Sequence, residues 1–185
     1  NHRTIAAQQL GRTRIKAVTE QTHLVFAWSG GDVYGGPGYE PMLFADALLG
    51  GYGMSRLFKV VREEHGLAYA VYSSYHRARG SILAQAAVDV VRAARAAKLI
   101  RSEFKRLQDK GFSEEEFEAV RESLIEARRS AFDSQGARVS DLAFQDVLGF
   151  KQSPERQLSA IRKVTPAQVR AMLKKLKPHS ECRLG

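Results

Sequence analysis

Histidine and cysteine supply the nitrogen and sulfur ligands that zinc favours, and this chain has six such residues: His2, His23, His65, His76, His179 and Cys182. A zinc site on a helix needs ligands at close spacing, such as a pair of histidines four residues apart, and no two histidines have that spacing. Residues 61–65 resemble an inverted His-x-x-Glu-His motif, but Val61 occupies the first ligand position and cannot donate to zinc. We therefore expect the isolated chain to bind no stoichiometric zinc.

Two other kinds of reactive site find little support in the sequence. A Ser-His-Asp arrangement stays open, because its members need not be adjacent in sequence, but no Gly-x-Ser-x-Gly elbow accompanies it. The glycine-rich run 50–53 has neither the Gly-Lys-Ser/Thr ending of a phosphate loop nor Gly-x-Gly-x-x-Gly spacing. That run predicts a turn between two helices.

Arg62 and Tyr69 lie in the most informative stretch, 53–73, which has the pattern of a glycine turn, an amphipathic helix, a glycine stop at Gly66 and a strand. Arg62 falls in the last turn of the predicted helix, where the helix dipole favours a cation. Tyr69 falls near the start of the next strand. From the residues alone, both positions are explained by helix stability and by packing at a sheet edge.

The elements that position this stretch are strands early in the chain and helices late. Alternating or β-branched residues predict strands over 16–29, 67–75 and 81–88, the last two as an antiparallel pair. Helical spacing, glycine stops and two capping boxes, at Ser113 and Thr165, predict helices over 41–49, 55–64, 91–110, 113–132, 138–148 and 166–176. We expect a single α+β domain over 1–185, an antiparallel sheet packed against helices, with 1–13 as a lead-in segment.

Composition and charge limit the function classes. The 185 residues are 44% hydrophobic and 26% charged, with a formal net charge of +9, which is typical of a globular domain. No stretch is long and apolar enough for a membrane span, and we expect a cytoplasmic location. Five cations would line one face of the helix over 91–110, but no aromatic platform or nucleic-acid motif accompanies them: Arg92, Arg95, Lys98, Arg101 and Lys105.

The stretch 53–73 closely resembles the non-zinc half of the pitrilysin or insulinase family of zinc metallopeptidases. That family has a glycine, then Ser-Arg-Leu-Phe, then an arginine shortly before Gly-Leu-Ala-Tyr. Position by position, the matching residues here are Gly53, Ser55-Arg56-Leu57-Phe58, Arg62 and Gly66-Leu67-Ala68-Tyr69. The start of the strand at 21–24 and the segment 161–169 are also similar to the family, so the resemblance covers nearly the whole chain.

The resemblance implies one half of a clamshell metallopeptidase, with zinc held by the other half. Arg62 and Tyr69 would then reach a bound peptide, Arg62 binding substrate and Tyr69 both binding it and supporting the oxyanion. The partners implied are a zinc-bearing N-terminal half or partner subunit and a peptide substrate, with a homodimer also open. Because this chain has no zinc motif, we expect it to be inactive alone and the zinc half to lie upstream in the same polypeptide or in a separate subunit.

Two alternatives remain from the sequence. One is a catalytically inactive core-type subunit that serves only assembly, and a zinc motif encoded upstream would argue against it. The other is a basic module that binds acidic peptides or nucleic acid, which the salt dependence of binding would reveal.

Overall fold

The structure is a computed structural model that describes residues 11–15 and 21–185. Five strands form one sheet in the order β1-β5-β2-β4-β3. Their bounds are β1 Gly11–Ile15, β2 Gln21–Ser29, β3 Ala68–His76, β4 Ser81–Asp89 and β5 Lys177–Leu184. The pairs β2–β4, β2–β5 and β3–β4 are antiparallel, and β1 lies parallel to β5 at one edge.

The helices account for most of the remaining described chain. They are α1 Tyr39–Asp46, α2 Ala93–Lys110, α3 Glu114–Asp133, α4 Gln135–Leu148, α5 Pro154–Lys163 and α6 Pro166–Lys175. Two segments are π-helical, Ala47–Gly51 and Phe58–Glu64, and a short 3₁₀ turn, Val90–Arg92, leads into α2. In the described part of the chain, no helix is long and apolar enough to cross a membrane.

One face of the sheet packs on the helices, as its alternating pattern predicts. Along β2, burial alternates strictly, so that Leu24, Phe26 and Trp28 point into the core. The Trp28 ring stacks on Phe104 of α2 with ring centroids 4.2 Å apart. This packing confirms the predicted α+β class, with a sheet covered by helices.

Local signals set most helix ends. The Ser113 and Thr165 capping boxes are both formed, with Glu116 and Gln168 as their reciprocal partners. The predicted apolar stripe of α6 is confirmed, because Val169, Met172, Leu173 and Leu176 are all buried. Helix α5 and strand β5 were not predicted, and α4 begins three residues earlier than expected.

The predicted lead-in and the first strand fall partly on residues that are not described. Residues 1–10 of the lead-in and 16–20 of the strand predicted over 16–29 lie outside the described residues. The last residues of the lead-in belong to β1, which begins at Gly11.

Candidate peptide-binding site

Arg62 lies in the last turn of the π-helical segment Phe58–Glu64. The backbone N–H of His65 donates to the Val60 carbonyl, five residues back, at 3.2 Å, which is the hydrogen-bond spacing of a π-helix. The Arg62 guanidinium lies 5.0 Å from the centroid of the Phe58 ring and 3.9 Å from a carboxylate oxygen of Glu63. Its side chain is 48% exposed, so these weak surface contacts leave the guanidinium accessible to a ligand.

The segment ends at Gly66, as its position in the sequence predicted. Gly66 has φ +56°, a left-handed conformation that glycine adopts without strain. Its N–H donates to the Arg62 carbonyl at 3.1 Å, and the next N–H, of Leu67, donates to Val61 at 2.9 Å. These bonds join the end of the helix to the start of β3, so Arg62 and Tyr69 stand on either side of one hydrogen-bonded turn.

Tyr69 occupies a β-bulge near the start of β3. Ala68 pairs with Val88 and Ala70 with Ala87, so β3 advances two residues while β4 advances one. Counting back from buried Val71, simple alternation would point Tyr69 into the core. The bulge instead leaves Tyr69 58% exposed. Bulges often re-aim a side chain in this way beside active sites.

The Tyr69 hydroxyl donates a 2.6 Å hydrogen bond to Oδ1 of Asp89, at the end of β4. The second carboxylate oxygen of Asp89 lies 3.5 Å from Nε of Arg92. Nη1 of Arg92 donates to the carbonyl of Gly66 at 2.9 Å. Asp89 and Arg92 therefore connect the phenol of Tyr69 with the turn that follows Arg62.

The sequence reasoning named Arg62 and Tyr69 but missed Asp89 altogether, and it named Arg92 only as a member of the basic face. The one signal available was the spacing of Asp89 and Arg92, three residues apart, which brings their side chains together at the entry to a helix. The contacts of both residues to the turn and to Tyr69 join strand ends that are distant in sequence.

The other candidate motifs serve structural roles. Gly50 stands where a side chain would meet β3, since a Cβ there would lie 2.5 Å from the backbone nitrogen of Ser73. Nδ1 of His65 lies 2.9 Å from the carbonyl of Val60 in its own segment. Within residues 11–15 and 21–185, no three His, Cys, Asp or Glu side chains are grouped so as to hold a metal ion.

The basic face of α2 is partly neutralised by carboxylates. Arg101 lies 2.8 Å from Glu181 of β5, and Lys105 lies 2.7 Å from Asp109 one turn further along the helix. With Arg92 beside Asp89, three of the five cations face an acidic partner. These pairs weaken the case for a nucleic-acid surface, which depends on unneutralised cations.

Solved structures with this fold include two from longer proteins. A conserved protein from Enterococcus faecalis V583 is 24% identical with a TM-score of 0.85, over 95% of this chain and 42% of that one. A peptidase M16 inactive domain from Pseudomonas fluorescens is 23% identical with a TM-score of 0.83, over 96% and 44%. At these identities the similarity shows the fold, and the chain spans less than half the length of either protein.

Sequence comparison identifies the family. The uncharacterized zinc protease YmxG of Bacillus subtilis (strain 168) is 45% identical over 64 residues, which are 33% of this chain and 14% of that protein. A sequence profile of the peptidase M16 inactive domain matches residues 2–124, about two thirds of the chain. The resemblance found in the stretch 53–73 is thus confirmed, and the chain belongs to the peptidase M16 inactive domain family.

Proposed function

We propose that this chain is the C-terminal, substrate-binding half of a zinc-dependent metalloendopeptidase whose zinc site lies in another domain or subunit. Membership of the M16 inactive domain family supports this, as does the zinc protease name of the Bacillus relative. When bound in that other half, zinc would supply Lewis-acid activation of the reaction. The part of this chain would be to bind the peptide and stabilise charge.

The observation that carries the proposal is the bulge that exposes the Tyr69 phenol next to the turn carrying Arg62. A buried tyrosine that only packed in the core could not reach a peptide. An exposed hydroxyl can donate to the oxyanion that forms when water attacks the peptide carbonyl. Arg62 can grip a peptide carbonyl through several N–H groups of its planar fork.

The decisive experiment is steady-state kinetics on the peptidase assembled with its zinc-bearing half. Tyr69→Phe removes one hydroxyl and keeps the ring, so kcat should fall by about 10²-fold, the scale of one oxyanion donor. Arg62→Ala should chiefly raise KM, because a group that holds the peptide acts in both the ground state and the transition state.

Tyr72→Phe is the matched control. Tyr72 lies three residues further along the same strand and is 47% exposed, but it is placed in regular pairing with Gln85 rather than in the bulge. We expect its loss of a hydroxyl to leave kcat within about 2-fold. Normal turnover by Tyr69→Phe would overturn the catalytic role.

A second candidate function, an inactive subunit that serves assembly, is supported by helix α4. Three of its apolar side chains, Val139, Leu142 and Val147, are exposed and could be covered by a neighbouring protein. The same kinetics separate the two functions. An assembly subunit would tolerate Tyr69→Phe but would lose its partner when Leu142 is replaced by a charged residue.

A further inference from the structure

We propose that Asp89 and Arg92 are positioning residues of this site, Asp89 holding the phenol of Tyr69 and Arg92 holding the turn between Arg62 and Tyr69. Their role in catalysis rests on the proposed function of Tyr69. The contacts themselves lie within this chain and do not depend on a zinc-bearing half.

Asp89 restrains the phenol of Tyr69. The bulge interrupts the regular register of β3 against β4 at this residue. Holding an exposed side chain in one rotamer costs conformational entropy, which a hydrogen bond can offset. The bond to Asp89, at 2.6 Å, has the length of a charge-assisted O–H···O⁻ bond, and it selects one position for the phenol.

Arg92 performs the same task for the backbone. One of its nitrogens bonds to the Gly66 carbonyl and another faces Asp89, so a single guanidinium ties the turn to the carboxylate. Arginine suits this role because its donors point in fixed directions within one plane. The turn, β4 and the 3₁₀ entry to α2 are thereby joined on the exposed side of the sheet.

The single proton of the Tyr69 hydroxyl cannot be donated to Asp89 and to a substrate at the same time. A tyrosine hydroxyl has one proton, and here that proton is donated to Asp89. To donate to an oxyanion, Tyr69 must release Asp89. An asparagine at position 89 could instead donate from its amide to the phenolic oxygen, which keeps the ring in place and leaves the phenolic proton to the substrate.

Kinetics of the assembled peptidase test the role of Asp89 by substitution in two backgrounds. Asp89→Ala should lower kcat by about 10-fold, less than loss of the hydroxyl itself. In the Tyr69→Phe background the same substitution should change kcat by less than about 2-fold, because the residue it positions is gone. Asp89→Asn should keep kcat at or above that of the unaltered enzyme. Equal losses in both backgrounds, or a loss in Asp89→Asn as large as in Asp89→Ala, would overturn the role.

Hydrogen exchange on the chain by itself tests Arg92. Arg92→Ala should speed exchange of the Gly66 and Leu67 amides by about 10-fold, since local opening of the turn becomes easier. Arg95→Ala, an exposed arginine three residues further along α2, is the matched control and should leave these amides unchanged. Unchanged exchange in Arg92→Ala would overturn the role of Arg92.

Thermal melts keep this inference separate from the proposed function. If Tyr69→Phe turned over normally, the proposed catalytic role would fail, but the link between Asp89 and Tyr69 would still be measurable. Asp89→Ala should lower Tm by about 2–4 °C in the unaltered chain and by less in the Tyr69→Phe chain. Equal shifts in the two chains would show that Asp89 does not hold the phenol.

Discussion

Asp89 and Asp141 each gather an arginine and a further hydrogen-bond donor, but they do so in different settings. Asp89 lies at the end of a strand on the exposed side of the sheet, and Arg92, its ionic partner, is 53% exposed. Asp141 lies among helices, and both it and its partner Arg128 are less than 15% exposed.

The cluster around Asp141 joins four parts of the fold. Arg128 of α3 donates to one carboxylate oxygen at 3.2 Å, and Gln145 of α4 and Gln157 of α5 donate to the other at 2.8 and 3.2 Å. Arg77, from the turn between β3 and β4, approaches to 3.8 Å. Gln145 lies in the same helix as Asp141, whereas Arg128, Gln157 and Arg77 come from other elements, so their contacts form only when those elements dock on α4.

The difference shows what each carboxylate is suited for. A carboxylate withdrawn from water is costly unless its partners satisfy it, so the Asp141 cluster commits the helices to one arrangement. A carboxylate near water can exchange one partner for another at small cost. The Asp89 contacts are therefore suited to holding a phenol that must later turn to a substrate.

The largest expected effect is that of Asp141→Ala on stability. Removing the carboxylate leaves the largely buried Arg128 without its charge partner, so the free energy of unfolding should fall by about 3–5 kcal/mol. Asp146→Ala is the control, because Asp146 lies in the same helix in an exposed pair with Lys151 and should cost no more than about 0.5 kcal/mol. Denaturant unfolding measures the free energy of unfolding of both variants. Equal losses would show that burial does not make the Asp141 contacts more important for stability than an exposed ion pair.

A third carboxylate, Asp46, is partly buried like Asp141, but the hydrogen-bond donors around it are neutral. Burial raises the pKa of Asp46 to about 6, although the Ser73 hydroxyl and the Tyr75 backbone donate to it. The folded state therefore holds the proton more tightly than the unfolded chain, whose carboxyl titrates near 4. This contribution to stability is complete below about pH 4 and is lost as pH rises through about 6, by about 3 kcal/mol.

Asp46→Asn should abolish that decline, because an amide does not ionise. We expect the free energy of unfolding of Asp46→Asn, relative to that of the unaltered chain, to be higher at pH 7 than at pH 4. For exposed Asp109→Asn, this relative value should be the same at both pH values. A constant difference between Asp46→Asn and the unaltered chain at both pH values would contradict the assignment.

Asp141 should respond to acid in the opposite direction and to a smaller extent. Burial alone would raise its pKa, but the hydrogen bonds from Gln157 and Gln145 and the charge of Arg128 outweigh it and hold the pKa of Asp141 below its ordinary value. Its contribution to stability is present above the unfolded pKa, near 4, and is lost as pH falls through the lower folded pKa. Asp141→Asn should flatten this acid-side loss, which a pH series of thermal melts below pH 5 would detect.

The smallest effect is expected from Arg62→Ala on the stability of the chain. Its guanidinium is half exposed and its contacts are those of a helix end, so the free energy of unfolding should fall by no more than about 1 kcal/mol. A larger loss in denaturant unfolding would show that Arg62 is mainly structural. A higher KM of the same variant would then reflect loss of structure rather than loss of a contact to the peptide.

Much of the fold was predictable because its signals are local. The two capping boxes, the glycine stops at Gly66, Gly111 and Gly149 and the alternation along β2 each depend on a few neighbouring residues, and the structure confirms them. The helix stop expected at Gly50 and Gly51 was wrong, because both lie in the π-helical segment Ala47–Gly51. Helix α5 has a comparable local signal, because Ser153 caps its start by accepting a hydrogen bond from the Arg156 backbone and Pro154 occupies the first helical position. These two residues would have been enough to predict the start of the helix.

Strand β5 had no such signal. Its sequence is polar and contains Pro178 near its start, features that disfavour a strand inside a sheet. It lies between β1 and β2 because those strands offer it partners on both sides, with a register shift in β2 beside Trp28. Pairing with distant strands determined this element.

The sequence by itself determined the helices, strands β2 to β4, the turn at Gly66 and the family motif that contains Arg62 and Tyr69, because each of these depends on consecutive residues. Only the tertiary structure decided which way Tyr69 faces. Strand alternation would have placed it in the core, and the bulge against β4 turned it outward toward Asp89. The register between two strands is a property of their pairing, and for that reason no local pattern in β3 could reveal the site's geometry.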